Sequence, residues 1–240
     1  MSNAELTFLS WNLALLERSA EAPSSVQQFH IEDAIRTTIL ALEPDIVCFQ
    51  ELPNMVPFVE TLDLLQATTR SHSGRMATLV WRDTAGKDNP EIVAVDGIGL
   101  LTTFPEREGR PAFTIANVHL EPGAGGTGRR LEQLSTLVSE SPTERLLVLG
   151  DTNTRIADVE HIEAAGFIAP KPPSSTWNSR KNQFRHGGAE FTAYFTRAFA
   201  SPGIEISDQV VHDSPAQMDG STFYWSDHFA LSGIVQVVSE

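Results

Sequence analysis

The feature that most constrains this 240-residue chain is that its apolar, strand-like runs end on polar residues fit for chemistry. Leu6 to Trp11 stops at Asn12, Ile46 to Gln50 stops at Glu51, and Leu146 to Leu149 passes through Gly150 into Asp151-Thr152-Asn153. His119 and the pair Asp227-His228 hold comparable places beside Ala112 to Val118 and Phe229 to Val237. Short apolar runs bounded by turn residues read as buried strands, and a layered α/β protein converges side chains from strand ends into one cleft. Residues as distant as Asn12 and His228 are therefore candidates for a single site.

Between these runs the periodicity alternates. Ile31, Ile35, Ile39 and Leu42 share one face of an expected helix closed at Pro44, and Phe58, Leu62 and Leu65 share that of a second, capped near Asn54. Ala77 to Trp81, Glu91 to Val95, Gly97 to Thr102 and Ala112 to His119 then read as strands with no helical period between them. Helical spacing returns at Leu131, Leu134 and Val138 and over Ile156 to Ala165, which Gly166 closes. Phe191 to Phe195, Glu205 to Val211 and Phe229 to Val237 read as strands. Strand meanders mixed with strand-helix units predict stacked layers, sheets at the centre and helices outside. Turn residues are spread along the whole length rather than gathered at one boundary, so a single domain over residues 1–240 is expected.

Composition removes several function classes. No apolar run approaches the roughly 18 to 20 residues a spanning helix needs, no apolar docking loop is seen, and the N-terminus lacks signal-peptide regions; a soluble, cytoplasmic protein is expected. The single cysteine, Cys48, sits in the apolar run from Ile46 to Phe49 and reads as a buried, inert thiol. A net charge of -14 opposes a protein that coats nucleic acid through a broadly basic surface. It does not oppose a local metal site, because bound cations dominate the local field around clustered carboxylates. Arg180, Lys181, Arg185 and His186, next to Trp177 and Asn178, run against the overall balance in a loop-like stretch.

Each residue alone has a plainer reading. Asp151 and Asn153 could cap the following helix, and Glu51 could favour the positive end of the next one. His119 could be a satisfied, partly buried histidine, Asp227 a turn former, and the Trp177 loop a solvated charged loop. Together they have a common chemistry: carboxylates and a carboxamide are hard ligands suited to Mg²⁺ or Mn²⁺, and the set does not make a closed zinc site.

The order of short motifs resembles the endonuclease/exonuclease/phosphatase (DNase I-like) superfamily along essentially the whole chain. The pieces are Ser10-Trp11-Asn12, Pro44 to Glu51, Gly97 to Thr102, Asn117 to Leu120, Gly150 to Asn153 and Ser226-Asp227-His228. Within it, Gly150-Asp151-Thr152-Asn153, His119-Leu120-Glu121 with Arg130 to Leu134, Ser175-Thr176-Trp177 and Ser226 to His228 are most similar to 5′-tyrosyl-DNA phosphodiesterases. The resemblance implies a four-layer αββα sandwich with two central mixed β-sheets and a divalent-metal-dependent phosphodiester hydrolase. It implies a substrate in nucleic acid, single-stranded or protein-adducted DNA included, with small-molecule or lipid phosphoesters, or a non-catalytic binding protein, as alternatives.

By that resemblance Glu51 is the principal Mg²⁺ (or Mn²⁺) ligand, with Asn12 and Asp227 in or beside the coordination shell. Asp151 activates the attacking water, Asn153 holds phosphate and nucleophile in line, and His119 and His228 donate to non-bridging oxygens. Arg130, Trp177, Arg180 and Arg185 are the implied substrate contacts. One departure stands out: Thr192 is read in place of an aspartate that orients the last histidine in many relatives, with Asp208 as a substitute partner.

Overall fold

The computed structural model describes residues 5–16, 19, 21–52, 64–71, 74–81, 90–107, 110–179 and 190–238. Two sheets carry it. The first contains β1 (Glu5–Asn12), β2 (Ile46–Gln50), β3 (Leu64–Ser71), β4 (Gly74–Trp81), β12 (Ile204–His212) and β15 (Ala230–Val237), in the order β12-β15-β1-β2-β4-β3. The second contains β5 (Glu91–Val95), β6 (Gly99–Phe104), β7 (Phe113–His119), β8 (Leu146–Asp151) and β11 (Thr196–Ala200), in the order β11-β8-β7-β6-β5. Each sheet has one parallel pair among its ladders, β1 with β2 and β7 with β8. A parallel pair needs a crossover. Helix α1 (Gln28–Leu42) lies between the first pair in sequence, and α2 (Thr127–Glu140) between the second.

Strand alternation sorts the side chains into three cores. Leu9, Trp11, Val47 and Phe49 face outward and pack with Ile31, Ile35 and Ile39 of α1. Leu6, Phe8, Ile46 and Cys48 face inward and meet Phe113, Ile115, Leu147, Leu149 and Ala198 of the second sheet. The outward set of that sheet, Ala116, Val118, Leu146, Val148 and Phe199, packs with Leu134 and Leu137 of α2 and Ile162 of α3 (Ile156–Ala164). The result is the four-layer αββα sandwich with both sheets buried on two faces, which is why their strands read as continuous apolar runs. Cys48 lies in the middle core, where burial pushes its thiol up to about 12 and leaves it inert. Between the sheets, Gln50 Nε2 donates to Asn117 Oδ1 at 2.8 Å, and Asn117 Nδ2 donates to the carbonyls of Ala77 and Phe49. A polar bridge thus ties the two sheets directly beneath the strand ends.

Some sequence expectations change. Leu65 belongs to β3, where it pairs with Val80, because hairpin pairing with β4 overrides its helical spacing; Phe58 and Leu62 lie outside the described residues. The face that α2 buries consists of Arg130, Gln133, Leu134 and Leu137, while Val138 is exposed. The run Phe191 to Phe195 is not one strand: β10 (Thr192–Ala193) pairs with β9 (Trp177–Asn178), and β11 starts only at Thr196. Helix α1 does close at Pro44 as expected: its cap Glu43, one residue before, adopts a left-handed φ of 45°.

Candidate active site

The parallel registers assemble the site. Asn12 lies opposite Gln50 at the end of β1 and β2, and His119 lies opposite Asp151 at the end of β7 and β8. Parallel strands finish at the same edge, so both pairs emerge at one rim. Asn12 and Asp151 share the parity of the middle-core residues Leu6, Phe8, Leu147 and Leu149, and therefore point into the slot between the sheets. The same parity holds for His119 and Thr196. Gly150 is required here: it has a φ of 151°, and a Cβ on it would stand 2.2 Å from the Val118 carbonyl oxygen.

Asn12 is the hub. Its Nδ2 donates to Glu51 Oε1 and to Asp151 Oδ2, each at 2.9 Å, while its Oδ1 accepts the Ala14 N–H. His119 Nε2 stands 3.8 Å from Glu51 Oε1 and 3.6 Å from Asp151 Oδ2. From the other side His228 Nε2 stands 3.5 Å from the same Asp151 oxygen and 3.9 Å from Asp227 Oδ1. Glu51 and Asn153 both have left-handed backbone, with φ of 53° and 50°. Non-glycine residues held there in a well-packed rim are a mark of functional geometry. Leu15 N–H donates to the Glu51 carbonyl, and Asn153 Nδ2 to the Leu120 carbonyl, which fixes both turns.

The plainer readings of these residues weaken accordingly. The residue that caps α3 is Arg155, whose N–H donates to Asp158, so neither Asp151 nor Asn153 serves as that cap. The Asn153 N–H instead donates to Asp151 Oδ1 at 3.2 Å.

His228 is held from three directions. Its N–H donates to Ser226 Oγ, which donates on to the Asn12 carbonyl; its own carbonyl accepts Trp11 Nε1–H; and its backbone forms a bridge with Trp177. Facing its Nδ1 at 3.5 Å is Thr196 Oγ1. This corrects the sequence reading. Thr192 is exposed in β10, Asp208 is exposed at a bulge of the edge strand β12, and the hydroxyl beside the histidine belongs to Thr196.

Two further expectations are overturned. Arg130 is not a substrate contact: fully buried, it pairs with Asp158 at 2.7 Å and donates to the Glu121 and Gly123 carbonyls. Trp177 is not a stacking platform: its ring is buried, packed on Phe195 and under the exposed Phe191, and its backbone supports His228. Arg180 and Arg185 lie outside the described residues. Asn12, expected in or beside the coordination shell, turns its NH₂ toward the two carboxylates and its Oδ1 toward the Ala14 N–H. Sequence reasoning missed Thr196 altogether. It also passed over the bridge of Gln50 and Asn117, whose signal was two amides at inward-facing positions of apolar strands.

The donor set fits a hard divalent cation. Glu51, His119 and Asp151 each offer an atom within 4.8 Å of the others. Asp151 is buried, and among the described residues no lysine or arginine stands within ion-pair distance of Asp151 or Glu51. Two converging carboxylates, one of them buried, call for a positive partner, and two carboxylates with an imidazole suit Mg²⁺ or Mn²⁺.

No family model matches the sequence, and no curated protein matches it. Solved structures do. TDP2 from D. rerio, complexed with a single-strand DNA product, superposes with a TM-score of 0.73 at 17% identity, over 97% of this chain and 99% of that one. An endonuclease/exonuclease/phosphatase family protein from Bacteroides thetaiotaomicron gives 0.69 at 15% identity, over 100% of both chains. The human nocturnin catalytic domain, with bound sulfate, gives 0.64 at 17% identity, over 96% of this chain and 93% of that one. The fold is thus that of the DNase I-like endonuclease/exonuclease/phosphatase proteins.

Proposed function

We propose that this chain, one domain over residues 1–240, is a divalent-metal-dependent phosphodiester hydrolase acting in the cytoplasm on nucleic acid or a protein-nucleic acid adduct. One observation carries the reading: two imidazole Nε2 atoms and the Asn12 amide converge on a single buried carboxylate, Asp151, with Glu51 alongside. The pairing of β1 with β15, the first and last strands, supports one domain. D. rerio TDP2 holding a DNA product on the same fold supports a nucleic-acid substrate.

Phosphodiesters resist attack because the nucleophile meets a negatively charged phosphate, so hydrolysis needs charge stabilisation where the transition state develops it. Glu51 with Asp151 beside it, and Asp227 at the edge, would hold an Mg²⁺ or Mn²⁺ ion, which would supply Lewis-acid polarisation of a phosphate oxygen. The chain's own residues do the rest. Asp151 accepts a proton from the attacking water, and Asn12 fixes the orientation of its carboxylate. His119 and His228 approach Asp151 from two sides and donate through Nε2 to the non-bridging oxygens as charge grows. Asn153, set by its turn, holds the phosphate in line.

The test is hydrolysis of bis-p-nitrophenyl phosphate, single-stranded DNA, a 5′-phosphotyrosyl oligonucleotide and inositol phosphates with Mg²⁺, Mn²⁺ or EDTA. Turnover should require metal, and Glu51→Ala and Asp151→Asn should each lower kcat by about 10²- to 10⁴-fold. Preference for an inositol phosphate would move the substrate to small phosphoesters, which the charge of -14 also favours. No turnover on any substrate in either metal would leave a binding protein.

A further inference from the structure

Behind the candidate site, on the outer face of the second sheet, lies a pocket of about 400 Å³ between the start of α3 and the 191–197 segment. Arg155, Ile156, Phe191, Tyr194 and Arg197 line most of it, and among the described residues none that lines it is acidic, in a chain of net charge -14. Arg197 follows Thr196 in β11 and therefore points to the opposite face, away from the slot. It is only 4% exposed, with its guanidinium over the Phe199 ring at 5.4 Å and Glu163 acting on it from beyond ion-pair distance, yet among the described residues its Nε finds no hydrogen-bond partner and no carboxylate stands within ion-pair distance of it.

Arg130 shows the contrast, since the same fold gives that buried guanidinium a carboxylate and two carbonyls. Buried guanidinium groups are ordinarily paired in this way. Arg155 supplies a second positive charge at the pocket: its buried Nε is likewise without a hydrogen-bond partner among the described residues, and its guanidinium lies over Phe195 and Phe191 at 4.6 and 5.2 Å. The positive end of the nine-residue helix α3 opens on the same space. The rim is apolar: Phe191 is 45% and Ile156 84% exposed.

We infer that this pocket binds a nucleotide, its phosphate on Arg197 and Arg155 and its base against Phe191 and Ile156. The choice of a nucleotide among aromatic phosphates rests on the hydrolase reading above; the anion site does not. Phe195 connects the two places, with its ring under the Arg155 guanidinium and 6.1 Å from the His228 ring.

The experiment is calorimetric titration of the full chain in EDTA with thymidine 5′-monophosphate and, separately, inorganic phosphate. The wild type and Glu51→Ala should bind the nucleotide alike and at least tenfold more tightly than phosphate. Arg155→Gln and Arg197→Gln should each weaken it at least tenfold. Arg155 is partly exposed, so its variant should keep the wild-type melting temperature and decides the matter if Arg197→Gln does not fold. No nucleotide binding, equal binding of phosphate, or binding indifferent to Arg155→Gln overturns the proposal. Turnover without nucleotide binding would remove the pocket alone, whereas binding without turnover on any phosphodiester would remove the hydrolase reading and leave the pocket as an anion site.

Discussion

Asp151 Oδ2 faces one amide and two imidazoles, so its orientation depends on those three side chains. Replacing Asn12 by alanine removes the donor shared by Asp151 and Glu51. With the carboxylates free to turn, kcat on bis-p-nitrophenyl phosphate should fall about 100-fold with the fold retained by circular dichroism. Thr196 is a gentler case. Loss of its hydroxyl in Thr196→Val forfeits an interaction worth about 1 kcal/mol, so kcat should drop roughly fivefold. Thr196→Asp, which gives His228 Nδ1 a carboxylate, should raise kcat; a decrease there would show that the imidazole is already optimally held. The site residues at strand ends were legible in the sequence because each terminates an apolar run. Thr196 was not, because the chain breaks between β10 and β11 at Tyr194 and Phe195, and no local pattern reveals that four-residue offset.

Helix α3 reaches α2 through an ion pair rather than through apolar contact alone. Arg130 and Asp158 are both fully buried, and Thr127 Oγ1 and the Arg155 N–H also donate to the same carboxylate. Burial by itself would raise the Asp158 carboxyl, but the hydrogen bonds from Thr127, Arg155 and Arg130 and the Arg130 charge outweigh it and hold it below the ordinary 3.8. A depressed carboxyl stabilises the fold above its unfolded value and loses that contribution as pH falls through the folded one. Denaturant unfolding should therefore show the Asp158 contribution intact at pH 5 and declining below 3.8, with Asp158→Asn flattening the decline. Breaking the pair by Arg130→Met should cost about 3 to 5 kcal/mol, whereas Arg130→Met with Asp158→Leu should recover most of it. An arginine on a helix, read from sequence, invites a substrate role. Its burial follows from long-range packing of α2 on α3, which one-dimensional spacing does not contain.

Across the whole molecule, the site is the rim where two parallel pairs from separate sheets end together. The layered class was legible because sheets buried on both faces demand continuous apolar strands, whereas β3 was not, since its polar sequence becomes a strand only by pairing with β4. The sandwich also sets the long-range field in which a substrate arrives. With a net charge of -14, a polyanion is repelled at distances beyond the local arginines. Raising salt from 0.01 to 0.15 M shortens the screening length from about 30 to about 8 Å, which suppresses that repulsion more than it weakens short contacts at Arg155 and Arg197. For single-stranded DNA, kcat/KM should therefore rise with salt over this range, while a small phosphodiester carrying one charge should change little. Most nucleic-acid-binding proteins do the opposite, because they release counterions on contact with phosphates. A steep fall for DNA would mean that several basic side chains engage the backbone at once, and would shift the weight of recognition from the acidic whole to a local basic surface.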